Sequence, residues 1–288
     1  MDSYLSILDE VLARGEVKDT RTGIRTLSIE GAMFVHDMQK GFPLLTTKFV
    51  AQKSVRIELD GFIHGVTDKR WLQERGCHIW DEWCSRKIIP YSDKPEIQSK
   101  MLEERDLGPI YGFQWRHFDA EYNGYAKDYT GKGVDQLANV LKTLKTNPTD
   151  RRMLVNAWNP KQIDEMALPP CHDSWQLLCS NGKLNLIWRQ RSVDVALGLP
   201  FNISSYATLL HLVAKEAGMQ EGKLIGQLGD LHIYENHTFG VLEQLKRKPF
   251  DLPQIETKDF ISVEGWTYDK TSVVNYKSHP KINFPIAV

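Results

Sequence analysis

The chain has 288 residues, and its 36 lysines and arginines against 37 aspartates and glutamates leave a formal net charge of -1. That balance supplies no global field to recruit nucleic acid or a membrane surface, so an anionic ligand has to be held by local clusters. The four cysteines are too sparse and too unevenly spaced for the disulfide framework of a small secreted domain, which favours a reduced, cytoplasmic chain.

The opening ten residues place acids where a signal peptide has its basic region, and no uncharged apolar run is long enough to cross a bilayer. Leu5, Leu8 and Leu12 share one helical face, and Arg14-Gly15 is a stop signal, so the chain opens on a short amphipathic helix. Thr22-Gly23 reads as a turn into strands around Leu27 and Met33. Ile57, Leu59 and Phe62 mark a buried segment that Asp60 and Gly61 interrupt. The polar stretch 85–106, with Pro90 and Pro95, reads as a surface insertion. Leu184, Leu186 and Trp188 alternate as in a strand that runs into Gln190-Arg191. After Asn202, the residues Ile203, Tyr206, Ala207, Leu210, Val213 and Ala214 recur at helical spacing, and Gly218 can end that helix. Strands and helices without regular alternation point to an α+β fold, and the lack of any linker or repeat points to one domain over 1–288.

Cys171 follows two rigid prolines and precedes His172. A nucleophilic cysteine needs cations to stabilise its thiolate, whereas a buried cysteine in a turn needs none. Two arginine groups are at hand: Arg191, followed by Ser192 and Asp194 at the end of the strand, and Arg151-Arg152 after Asp150. Guanidinium forks with Ser192 suit a phosphate, and Arg21 adds a donor from a turn, although paired arginines on a loop are commonly just solvated. Glu58 in an apolar stretch would have its pKa raised toward the useful acid/base range; a surface carboxylate is an equal reading. Asp230, His232 and Tyr234 alternate on one strand face, either ligand-facing or solvated. Cys77, His78 and Cys84 fit no tetrahedral metal set, so no metal is expected. Lys246-Arg247-Lys248 reads as the basic end of a helix.

Several longer motifs then occur in order: Asp19-Thr20-Arg21-Thr22-Gly23, the run from Gly41 through Lys48, His78-Ile79-Trp80-Asp81-Glu82-Trp83, and the run from Leu107 through Tyr111 to Arg116. They continue through Pro169-Pro170-Cys171-His172, Gln190-Arg191-Ser192-Val193-Asp194, Leu197-Gly198-Leu199-Pro200-Phe201-Asn202-Ile203, Gly229-Asp230-Leu231-His232-Ile233-Tyr234 and the closing Pro285-Ile286-Ala287-Val288. Together these resemble the thymidylate synthase family along nearly the whole chain. The resemblance implies a mixed sheet with surrounding helices, packed sheet against sheet across a homodimer, and reductive methylation of dUMP to dTMP with 5,10-methylenetetrahydrofolate as co-substrate and no metal.

It also implies roles. Cys171 attacks C6 of the uracil ring, with Arg191 lowering its pKa, while Glu58, His172 and Tyr111 handle protons. Arg21, Arg191 and Ser192 hold the phosphate, joined by Arg151 and Arg152 from the other subunit. Asn202 reads the base, Gln190 and Asp194 hold the ring, and His232 and Tyr234 hold the ribose. The folate lies against Trp80, Trp83, Leu197, Gly198 and Phe201, with Asp194 beside it, Lys48 near its glutamate tail and Ala287 in the closing terminus.

Two places depart from the family pattern. The family follows its glutamate with leucine and then tryptophan, where this chain has Asp60 and Gly61 two and three positions after Glu58, and Asp173 follows His172 where a small or apolar residue is usual. A dUMP 5-hydroxymethylase, which traps the same methylene intermediate with water, is therefore the alternative within the family. A catalytically silent nucleotide- or RNA-binding protein is the alternative outside it.

Overall fold

The computed structural model of the chain describes residues 1–20 and 23–286. Arg21 and Ala287, both expected at the ligands, lie outside the described residues. The first helix, α1 (Asp2–Arg14), buries Tyr4, Ile7, Leu8 and Val11, so the buried stripe lies beside the leucine face, with Leu5 and Leu12 at its edge. It is followed by β1 (Glu16–Lys18) and the long β2 (Thr26–Asp37).

Helix α2 (Gln52–Ile63) runs unbroken through Asp60 and Gly61. Every residue from Ile57 to Ile63 is buried, Glu58 and Asp60 included. The Asp60 carboxylate survives there because it accepts the Tyr268 amide proton at 2.9 Å and meets His64 Nδ1 at 2.8 Å, which meets the requirement that a buried charge be paired. Helix α3 (Lys69–Glu74) and helix α4 (Pro95–Glu103) follow. The stretch 85–106 is largely exposed, yet Ser85, Met101 and Asp106 are buried and Ser85 N donates to Asp106 O at 2.7 Å, which closes it into a tied loop.

Helix α5 (Tyr111–His117) crosses α2 closely. A Cβ on Gly112 would stand 2.8 Å from the Phe62 backbone, so only glycine lets the two helices meet there. Helix α6 (Gln136–Thr146) starts on Asp135, whose carboxylate accepts from Ala138 N at 3.0 Å, an N-cap that leads into β3 (Leu154–Asn156). Then come β4 (His172–Ser180), β5 (Lys183–Asp194), α7 (Gly198–Ala217), β6 (Gln220–Tyr234) and α8 (Thr238–Lys246), and a small hairpin of β7 (Gln254–Thr257) and β8 (Thr271–Val274). Helix α7 begins four residues before Asn202. Pro200 does not prevent this, because in the first turn its missing N–H has no intrahelical partner to lose.

The main sheet has the order β1-β2-β6-β5-β4-β3, and β5 and β6, joined through α7, run parallel while the other neighbours are antiparallel. It is an α+β fold with a mixed six-stranded sheet. One sheet face is covered by α1 and α7, which bury Phe34, Leu186, Trp188, Leu224 and Leu231. The opposite face alternates with it strand by strand and leaves Met33 59% and Val35 42% exposed, with Arg189 and Gln227 also in solvent. Among the described residues no helix is long and apolar enough to cross a membrane.

Candidate active site

The site gathers where β4, β5, α2, α5 and the first turn of α7 converge. Pro169 and Pro170 carry the chain rigidly to Cys171, a half-buried residue. Two neighbours fix its backbone: Cys171 N donates to Tyr111 Oη at 2.8 Å, and Arg191 N donates to Cys171 O at 2.8 Å. The Arg191 guanidinium donates to Pro170 O at 2.9 Å and Pro169 O at 3.0 Å, over the ring of Trp158. The one arginine thus braces the loop behind the sulfur. It pulls the thiol pKa down, as the resemblance implies, but burial outweighs it and Asp194 adds to the rise, so within a single chain the thiol sits above its ordinary value.

His172 opens β4 and is buried. Its Nδ1 meets Tyr206 Oη at 2.8 Å, and its ring stacks on Tyr111 at 4.3 Å. Burial draws its pKa down to about 3, so it is a neutral imidazole. Asp173 is the extra residue of a β-bulge, since His172 pairs with Gln190 while Ser174 pairs with Arg189. Its carboxylate accepts from Arg189 Nη1 at 3.2 Å and from Ser174 Oγ at 3.1 Å. The departure at Asp173 therefore has its partners on the open sheet face.

Glu58 lies on α2, buried, with Trp80 Nε1 donating to its Oε1 at 2.8 Å. Desolvation lifts its pKa to about 7 even against that bond. Of the two readings open for this carboxylate, the desolvated one holds. Tyr111 stacks on Phe62 at 4.9 Å and meets the edge of Trp80 at 6.0 Å. Burial, with the nearby Cys171 and Glu58, raises its phenol well above the ordinary range, so the hydroxyl stays protonated.

Gln190 and Asn202 form one unit. Gln190 Nε2 donates to Asn202 Oδ1 and to Ser192 O, both at 3.1 Å, and Trp188 Nε1 donates to Gln190 Oε1 at 3.2 Å. Asp194 Oδ1 accepts from the amides of Ala196 at 3.0 Å and Leu197 at 2.9 Å, which fixes the entry to α7. Leu197, Gly198 and Phe201 are half-buried on that first turn. On β6, His232 Nδ1 meets Asp230 Oδ1 at 2.9 Å and presents its ring to Tyr234 at 5.4 Å. Trp83 is buried and stacks on Tyr91 at 6.3 Å.

Three expected residues stand apart from this cluster. Arg151 and Arg152 are exposed on the loop before β3, and Arg152 Nη2 pairs with Asp150 at 2.8 Å. Lys48 is turned inward: it is 4% exposed, donates to Ala196 O at 2.6 Å, and lies over the Phe284 ring. Burial brings its ammonium down to about 8.

The structure also adds residues that the motifs do not flag. Tyr206 anchors His172 and stacks on Trp188 at 5.4 Å, and a Cβ on Gly226 would fall 2.5 Å from the Trp188 ring, so glycine is required for that stack. His237, buried, stands 4.0 Å from Asp194 and meets Pro285 O through Nε2 at 2.7 Å, linking Asp194 to the end of the described chain. Helical spacing in α7 could have suggested Tyr206, three residues after Ile203. Nothing local marks His237.

A family model described as thymidylate synthase matches residues 2–288. The thymidylate synthase of Herpesvirus ateles is 44% identical over 286 residues, which cover 99% of this chain and 97% of that protein. The bifunctional dihydrofolate reductase-thymidylate synthase of Paramecium tetraurelia is 41% identical over 287 residues, and that of Zea mays is 42% identical over 289. The chain spans 61% of the Paramecium protein and 54% of the maize protein. A whole-length family match and close identity to a relative of the same length together place this chain in the thymidylate synthase family.

Proposed function

We propose that the chain is a thymidylate synthase, a methyltransferase that converts dUMP to dTMP with 5,10-methylenetetrahydrofolate as co-substrate and a covalent bond from Cys171. One observation carries the reading: Cys171, its backbone tied to Tyr111 and Arg191, shares its surroundings with a buried carboxyl poised at about 7. A nucleophile beside a group able to give and take a proton near neutrality is what addition to a pyrimidine ring followed by proton removal demands.

The thiolate of Cys171 adds to C6 of uracil, and the displaced electron pair moves to C5 and O4. A phosphate carried in by the substrate neutralises arginines yet keeps them in place, with Arg191 and Ser192 from this chain and Arg151 and Arg152 from a partner. Asn202 offers an oxygen to N3–H and its NH2 to O4; because Gln190 already donates to the Asn202 oxygen, the amide is held in the orientation that fits uracil. Cytosine exchanges donor and acceptor there and would meet its own kind. Tyr111, kept neutral, passes the C5 proton through its hydroxyl. Glu58 can both give and take a proton near pH 7, while His172 supplies hydrogen bonds but no charge. His232 and Tyr234 face the ribose.

The folate, when bound, supplies the one-carbon unit and the hydride. The first turn of α7 fits it: a Cβ on Gly198 would make only ordinary contacts at 3.7 Å or more, and Asp194 uses Oδ1 on backbone amides, which leaves its second oxygen for a ring N–H. Trp80 and Trp83 complete the wall. Lys48 supports it from behind, through Ala196, rather than reaching outward.

The partner is a second copy of this chain. The open sheet face, with Met33, Val35 and half-buried Ile187 and Ile225, is an apolar surface that a two-fold copy would bury. Arg151 and Arg152 are exposed, and Arg152 would exchange its Asp150 partner for the phosphate on crossing such an interface. One catalytic domain over 1–288, working in the cytoplasm where its four unpaired cysteines stay reduced, completes the reading. No observation favours the hydroxymethylase alternative. Product analysis decides: dUMP and methylenetetrahydrofolate are expected to give dTMP and dihydrofolate, and recovery of 5-hydroxymethyl-dUMP with tetrahydrofolate would overturn the assignment.

A further inference from the structure

Lys69, the first residue of α3, is 1% exposed, although lysine is among the residues least often fully buried. Among the described residues no carboxylate stands within ion-pair distance of it. Instead its ammonium spends all three donors on carbonyls: Met101 O at 2.7 Å, Asp81 O at 2.8 Å and Trp83 O at 3.1 Å. Each acceptor has a meaning. Met101 O belongs to the last turn of α4, where carbonyls lack intrahelical partners and a cation is favoured. The Asp81 and Trp83 carbonyls lie in the turn that presents Trp80 and Trp83.

Besides Lys69, that turn is tied by His78 Nδ1 meeting Asp81 Oδ2 at 2.9 Å and by the burial of Trp80 and Trp83, yet among the described residues no other side chain binds its backbone carbonyls. Its internal backbone bonds are Asp81 N to His78 O at 3.4 Å and Trp83 N to Trp80 O at 3.1 Å, with Gln73 Nε2 reaching the Asp81 side chain at 2.9 Å. From this turn Trp80 delivers its Nε1–H to Glu58. We propose that Lys69 is a positioning residue: its buried ammonium clamps the Trp80–Trp83 turn between α3 and the end of α4, and so sets where Trp80 meets Glu58 and where the tryptophan wall stands. The catalytic meaning of the clamp rests on the functional reading above; the clamp itself does not.

The test uses the full-length protein with Lys69→Met, which keeps the side chain's length and removes the donors, and Lys69→Gln, which keeps a shorter donor. Hydrogen exchange over residues 77–85 reads the turn without needing activity, and exchange there is expected to accelerate in both variants while β5 and α7 stay protected. In steady-state kinetics, KM for methylenetetrahydrofolate is expected to rise about tenfold in Lys69→Met, because a wall displaced by a fraction of an ångström loses that order of efficiency. Lys69→Gln should lie between Lys69→Met and the unsubstituted chain, and the dissociation constant for dUMP should stay within twofold. Unchanged exchange in 77–85 overturns the clamp, and folate KM rising in step with dUMP dissociation reduces Lys69 to general stability. Failure of the functional reading would look different: the unsubstituted chain would not turn over, while the exchange result still decides on the clamp. If Lys69→Met does not fold, Lys69→Gln alone carries both readouts.

Discussion

Replacing Glu58 by glutamine removes a charge that the interior of the protein opposes, and the size of the effect follows from the structure. The carboxyl sits at about 7 against an ordinary 4.5 because α2 buries it with a single donor, Trp80 Nε1. At 1.36 kcal/mol per pH unit, the difference of 2.5 units makes the ionised form cost the fold about 3 kcal/mol. Below pH 4.5 folded and unfolded chains both carry a protonated Glu58, and no penalty exists. As pH rises through the window from 4.5 to 7 the unfolded chain releases the proton first, so stability is lost across that window and the loss is complete above pH 7. Glutamine is neutral throughout and can still accept from Trp80. Urea unfolding of both proteins at equal concentration, from pH 4 to 9, should therefore show Glu58→Gln gaining on the unsubstituted chain as pH rises, by about 3 kcal/mol above pH 7. Turnover should fall at least about a hundredfold, the usual worth of a positioned proton carrier. A stability difference that is flat with pH would refute the desolvated Glu58 on which the acid/base assignment stands.

Arg191→Gln removes the cation that pulls the Cys171 thiol down, so the pH midpoint of Cys171 alkylation by iodoacetamide should move up and kcat/KM should drop about tenfold or more; an unmoved midpoint would mean that Arg191 acts only as a brace. Asp60→Leu strands the Tyr268 amide and His64, a loss of roughly 1–3 kcal/mol. Because Asp60 raises the His64 pKa, the pair's contribution is complete below pH 6.5 and lost as pH rises through the elevated value, so the unfolding difference between variant and unsubstituted chain should narrow on the alkaline side.

Much of this was legible in sequence where the signal is local. The period of Ile203, Tyr206, Leu210 and Val213 announced α7, Gly218 ended it in the left-handed conformation, and Leu184, Leu186 and Trp188 announced β5. Asp60 and Gly61 read as a break because what makes them tolerable is contact, not pattern: the Tyr268 amide that Asp60 accepts from lies 208 positions along the chain, and the Trp71 ring lies 3.5 Å from where a Cβ on Gly61 would stand. Lys48 belongs to a motif that invites an outward reading, and only packing shows its ammonium turned toward Ala196. Lys69, between Asp68 and Arg70, carries no sequence signal, and only packing shows the carbonyls of Asp81, Trp83 and Met101 converging on it. Net thiol acidity is likewise invisible in a motif, since the pull of Arg191 and the penalty of burial oppose each other and only coordinates weigh them.

Everything in the proposed chemistry depends on the sulfur of Cys171 reaching a pyrimidine ring. The direct measurement is mass spectrometry of the protein after incubation with 5-fluoro-dUMP and methylenetetrahydrofolate. A stable covalent adduct on the peptide bearing Cys171 is expected, absent from a Cys171→Ser variant that still binds dUMP. No adduct, or one carried by Cys77, Cys84 or Cys179, would contradict the assignment and favour a silent nucleotide-binding protein.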